Sequence, residues 1–122
     1  SLVTRGTCTW DDCALTVLAT VVSVPADNRA IIDAGSKVLT SDLLGLDGHG
    51  HVLGRDDLLI DQLSEEHGRI VSDGAIGLSV GQRLRIVPNH ACVVANMLDH
   101  VELVDGDAVI GPAEVAARGQ VW

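Results

Sequence analysis

The sequence predicts a small all-β domain with minor helix, and three observations lead there. Its apolar residues, 47% of the chain, are mainly Val, Leu, Ile and Ala, with no Phe or Tyr and only Trp10 and Trp122 as large rings; Val and Ile restrict χ1 and suit a pleated surface. Several short segments are rich in these residues, and one of them alternates polar with apolar. Turn-forming clusters separate the segments at regular spacing. Seven or so short strands joined in this way indicate a barrel or a sandwich.

Taken in order, residues 14–24 form a Val/Leu/Thr/Ala run that stops at Pro25-Ala26-Asp27-Asn28 before the extended stretch 29–35. This reads as a β-hairpin. Residues 36–41 continue extended or make a short helical turn, and 42–57, rich in Gly, Asp and His, read as loop. A second hairpin pairs 58–64 with 68–72 around Glu65-Glu66-His67. The turn at 79–82 precedes Arg83-Leu84-Arg85-Ile86-Val87, whose polar and apolar residues alternate as in a half-buried strand ending at Pro88. Residues 93–98 suit one or two helical turns. Asp105-Gly106-Asp107 then links two β-forming runs, 100–104 and 108–110, as a third hairpin. A last strand is expected around 114–117.

A chain of 122 residues makes one domain and buries roughly two-thirds of the surface its unfolded form exposes. The net charge of -9 disfavours a surface that tracks phosphates or anionic lipid, and with no Phe or Tyr and only two Trp the chain has few stacking platforms for single strands. Nucleic acid is therefore not an expected partner. No apolar run approaches the roughly 20 residues that span a bilayer, and the first five residues do not resemble a signal peptide; a cytoplasmic chain without membrane contact is expected. Three cysteines, Cys8, Cys13 and Cys92, argue for thiols or metal ligands over a disulfide framework. Cys8 and Cys13 lack zinc-knuckle spacing and read as small core residues.

The segment Pro88-Asn89-His90-Ala91-Cys92 is the leading source of chemistry. In an extended chain, residues two apart project to one side, so His90 and Cys92 reach a single divalent ion if the segment stays unwound. Imidazole nitrogen and thiolate sulfur are both zinc ligands, and a two-residue site leaves positions open for water or substrate. The same spelling also describes a strand-ending turn with a buried cysteine. His67, beside Glu65 and Glu66, is a candidate proton-transfer residue, although a solvated hairpin tip reads the same way. His49 and His51 repeat the two-residue spacing within a Gly-rich loop. Lys37 is the only lysine and so the sole Schiff-base candidate here, but no phosphate-cradling motif surrounds it. A hydrolase built on His67 and Glu66 lacks a paired nucleophile.

Four ordered segments, Leu18-Ala19-Thr20-Val21-Val22-Ser23, Asp33-Ala34-Gly35-Ser36-Lys37, Ser64-Glu65-Glu66-His67-Gly68 and Val87-Pro88-Asn89-His90-Ala91-Cys92, carry a family resemblance. Together they resemble the C-terminal part of the D-threonine aldolase and D-serine dehydratase family of pyridoxal-phosphate enzymes. The likeness runs from about residue 6 to residue 119. It implies a small β-barrel of the alanine racemase C-terminal type, spanning residues 1–122. The partner it implies is an N-terminal β/α barrel that carries pyridoxal phosphate and the Schiff-base lysine and lies outside this chain; Lys37 is not that lysine.

The resemblance also implies that His90 and Cys92 are the metal ligands. The thiolate points to Zn2+, whereas a carboxylate in its place would suit Mn2+. It brings His67 towards the active site, and it implies a D-3-hydroxy amino acid substrate; a chain without its partner domain exposes an apolar face, so a homodimer is expected. In that family an aromatic Gly-Thr-Tyr strand is usual where Thr7-Cys8-Thr9-Trp10 stands, so Cys8 replaces an expected ring. The domain alone is expected to be an inactive part of a lyase, an aldolase or a dehydratase. The competing expectation is a non-catalytic β-domain used for dimerisation or small-molecule binding.

Overall fold

Alternation along β1 (Val17–Ala26) points Val17, Ala19 and Val21 inward and leaves Leu18 and Val22 exposed. The same two-residue period runs through β2 (Arg29–Ile32), β5 (Gly68–Val71) and β6 (Arg83–Val87). The computed structural model describes residues 2–120 and adds β3 (His51–Val52), β4 (Leu59–Leu63), β7 (His100–Asp105) and β8 (Ala108–Glu114). Two short helices, α1 (Ser36–Leu39) and α2 (Ala91–Asn96), follow β2 and β6 respectively. The expected all-β class with minor helix is what forms.

Six strands pair antiparallel in the order β3-β6-β1-β2-β5-β4. The sheet curls until its ends meet, and the His49 N–H donates to the Ile60 carbonyl at 2.9 Å, linking the chain just before β3 to β4. This nearly closed barrel removes most of the open edge that a flat six-stranded sheet would carry. Register irregularities in β1, between Val21 and Ser23 and again before Ala26, bend the strand and accommodate Pro25, which cannot donate to a ladder. The core is aliphatic, with Val21, Ile32, Leu39, Val52, Ile60, Ile70, Ile76, Ile86 and Val94 its largest fully buried side chains.

Three sequence expectations change. Residues 42–57 are not all loop, because His51 and Val52 pair with Val87 and Ile86. No separate strand forms around 114–117; β8 itself runs through Glu114. The family's strand does not form at residues 7–10, where Cys8 already departs from the family pattern; the chain makes a 3-10 turn over Trp10–Asp12. The three hairpins form as read, the last of them as a separate two-stranded sheet, β7-β8. Among the described residues no helix is long and apolar enough to cross a membrane.

Candidate functional site

Because neighbouring strands alternate in direction, β2, β4 and β6 all run the same way, and the segments that follow them emerge at one end of the barrel. Those segments contain Asp33 to Lys37, Ser64 to His67 and Pro88 to Cys92. They are also linked to one another. The backbone N–H groups of Ser36 and Lys37 donate to the Ser64 and Glu65 carbonyls at 2.8 and 3.1 Å, seating α1 on the β4-β5 turn. A Cβ at Gly35 would lie 2.4 Å from both of those carbonyl oxygens, so this contact requires glycine. Lys37 closes it with an ion pair to Glu66.

Beyond α1 the chain passes Thr40 and reaches Asp42. Thr40 and Leu44, on either side of Asp42, hold φ of 63° and 50°, a region that costs a non-glycine residue about 1–3 kcal/mol. Asn89 provides the clamp that maintains this shape: its side-chain amide donates to the Asp42 carbonyl at 3.0 Å and to the Gly48 carbonyl at 2.7 Å. The neighbouring His90 places Nδ1 2.7 Å from Asp42 Oδ2. An ionised carboxylate only accepts, so Nδ1 is the donor in this pair, and in the neutral imidazole that tautomer puts the lone pair on Nε2.

Cys92 is arranged by packing. The segment after Pro88 does not stay extended, as the sequence reading supposed; α2 begins at Ala91, and the His90 carbonyl accepts the Val94 N–H at 3.3 Å. Val94 is fully buried, and at about 100° per residue Cys92 lies roughly 200° around the helix from it. Its thiol is therefore exposed. His90 and Cys92 thus share the first turn of α2 without the extended-strand geometry. Among the described residues no group of three His, Cys, Asp or Glu side chains could enclose an ion, so a metal held here would use an open two-residue site.

The other candidates are placed differently. His67 is at the tip of the β4-β5 turn, where its backbone bonds both ways with Ser64, and it borders a shallow depression with Ile31 and Gln62. It shares the barrel end with His90 but touches different residues, and Glu66 is committed to Lys37. His51 packs beneath Trp10, ring centroids 3.8 Å apart and 5° from parallel, and burial lowers its pKa against the raising effect of Asp56. His49 has a buried Nδ1 without a partner among the described residues. Cys8 and Cys13 are half-buried beside a cavity of about 330 Å³, outside the core. Asp42, the partner of His90, was missed by sequence reasoning; 48 residues separate the two, and no local signal connects them.

Residues 14–104 match the family described as "Putative serine dehydratase domain". The chain belongs to this family. An uncharacterised protein of Mycobacterium tuberculosis is 41% identical over 121 residues, covering 94% of this chain and 91% of that protein. D-threonine aldolase of an Arthrobacter species is 36% identical over 107 residues, which cover 87% of this chain but 27% of the aldolase. Among solved structures, a histidine-to-alanine variant of D-threo-3-hydroxyaspartate dehydratase superposes with a TM-score of 0.82 at 29% identity, covering 93% of this chain and 34% of the dehydratase. A cysteine-to-alanine variant of the dehydratase, two positions further along and in a metal-free form, superposes at 0.77. This member of the serine dehydratase family therefore spans about a third of the solved enzymes it matches and nearly all of the mycobacterial protein.

Proposed function

We propose that this chain is the metal-binding C-terminal domain of a pyridoxal-phosphate-dependent D-amino acid lyase, an aldolase or dehydratase acting on a D-3-hydroxy amino acid. The observation that carries the reading is His90, whose Nδ1 is engaged by Asp42 so that Nε2 is the ring nitrogen left for an ion, with the exposed Cys92 thiol two residues on in the same helical turn. Nitrogen and sulfur donors together suit Zn2+ better than Mn2+. The two dehydratase variants support the choice, because the histidine and cysteine they alter are spaced as His90 and Cys92 are. Bound there, the ion would supply Lewis acidity to a substrate hydroxyl.

The chain's own residues do the positioning. Asp42 holds the His90 tautomer, Asn89 fixes the loop bearing Asp42, and the seating of α1 on the β4-β5 turn brings His67 to the same barrel end as a proton-transfer candidate. Lys37 is engaged by Glu66, and the chain matches only 29–36% of the solved enzymes, which supports assigning pyridoxal phosphate and its lysine to an N-terminal partner barrel. By itself the domain is inactive. A cytoplasmic setting suits a thiolate ligand.

A second reading, a dimerising β-module without catalysis, is favoured by the apolar β7-β8 hairpin and by the mycobacterial relative that this chain matches over 91% of its length. Elemental analysis separates the two. Under the lyase reading the parent retains zinc after gel filtration, His90→Ala and Cys92→Ser lose it, and Asp42→Asn binds about 10–100-fold more weakly. Equal zinc in the parent and both ligand variants would reject the assignment. Light scattering with and without chelator tests the module, which predicts a homodimer indifferent to metal.

A further inference from the structure

The turn before β1 carries chemistry that the metal reading leaves unused. Cys8 and Cys13 flank the Trp10–Asp12 3-10 turn, and three hydrogen bonds fold it tightly. The Thr9 N–H and Oγ1–H both donate to Asp12 Oδ2, at 2.7 and 2.8 Å, and the Cys13 N–H donates to the Trp10 carbonyl at 3.1 Å. The Cys13 thiol in turn donates to the Thr9 carbonyl at 3.8 Å, which brings it back towards the residue next to Cys8. Both thiols border the cavity of about 330 Å³, together with Trp10, Leu15 and Pro88. Burial and then the adjacent Cys8 thiol push the Cys13 thiol above its usual pKa. Cys92, exposed on α2, does not border this cavity.

We propose that Cys8 and Cys13 are a thiol modification site that closes as a reversible intramolecular disulfide, with an oxidised low-molecular-weight thiol such as glutathione disulfide as the oxidant. The Cys8 thiolate attacks one glutathione sulfur, forming a mixed disulfide and expelling one glutathione thiolate, which is protonated by solvent. Cys13 then loses its proton to solvent and attacks the Cys8 sulfur, forming the Cys8–Cys13 bond and releasing the second glutathione. Two protein thiols are oxidised and one glutathione disulfide is reduced to two glutathiones. The bond staples the turn that stacks Trp10 on His51. It thereby fixes the side of the cavity that Pro88, Asn89 and Ala91, the sequence neighbours of His90, also line.

The test is to equilibrate the folded chain in graded mixtures of reduced and oxidised glutathione, block free thiols with iodoacetamide, and map the peptides by mass. Expected is a peptide containing Cys8 and Cys13 that is lighter by two hydrogens and unalkylated, with Cys92 alkylated. The folded chain should also close the disulfide about tenfold more readily than the chain unfolded in urea, ~30 mV for a two-electron couple. Cys13→Ser should leave Cys8 as a trapped mixed disulfide, and Cys92→Ser should not move the midpoint. Alkylation of both Cys8 and Cys13 in the most oxidising mixture, or an equal midpoint in urea, would overturn the proposal.

Discussion

The barrel and the β7-β8 hairpin use the same residue types to opposite effect. In the barrel, inward positions such as Ile60 and Ile86 are completely buried because every strand has another across from it. In the hairpin neither strand has a buried residue, and Val109 and Ile110 are 66% and 69% exposed. β-forming residues and an Asp-Gly turn are enough to pair two strands, but burial needs an opposing face, and an isolated hairpin is marginal in water. Near the tip, the Arg85 side chain joins the hairpin to the barrel by donating to the Gly106 carbonyl at 2.7 Å and to Asp107 at 3.0 Å.

The most direct way to break this comparison is to truncate one residue in each region. Ile86→Ala should cost about 2–5 kcal/mol in urea unfolding, whereas Ile110→Ala should stay within about 0.5 kcal/mol. A hairpin variant as damaging as the barrel variant would mean that the hairpin is covered in solution. Gly35→Ala, whose Cβ meets two carbonyl oxygens at 2.4 Å, should cost about 1–3 kcal/mol by forcing α1 off the β4-β5 turn.

Smaller effects sharpen the contrast. Asp61 accepts both Arg69 hydrogen bonds, at 2.9 and 2.7 Å across the β4-β5 pair, and they hold its carboxyl below the usual range. A depressed folded-state pKa gives stability that is fully present above the unfolded value near pH 3.9 and is lost as pH falls through the folded value. Asp61→Asn should therefore unfold at lower urea than the parent at neutral pH, by about 1 kcal/mol or less for a partly exposed pair, and the gap should close in acid. Arg85→Ala should have the smallest effect, under about 1 kcal/mol, seen chiefly as faster amide exchange at the hairpin tip.

Much of the fold was legible in the sequence because hairpins are local. Asp27-Asn28, Glu65-Glu66-His67 and Gly106-Asp107 each sit where a turn was read, and β6 ends at Pro88 as its missing N–H requires. What was hidden depended on distance along the chain. β3 has two residues, too few to show a period, and it exists only because β6 offers an edge. The helical start at Ala91 follows from Val94 finding the core, so the extended His-x-Cys geometry inferred from spacing did not form.

Residue type and spacing, which act over a few neighbours, set most of the strand segments, the aliphatic core and the four family segments, though not β3. Tertiary structure alone decided that three of those segments meet at one barrel end, that Asn89 clamps a strained loop, and that Asp42 orients His90. The Asn89 and His90 contacts join residues more than forty positions apart, and α1 meets the β4-β5 turn across 28. Their partners are chosen by how the sheet curls and closes, which no local pattern in the chain records.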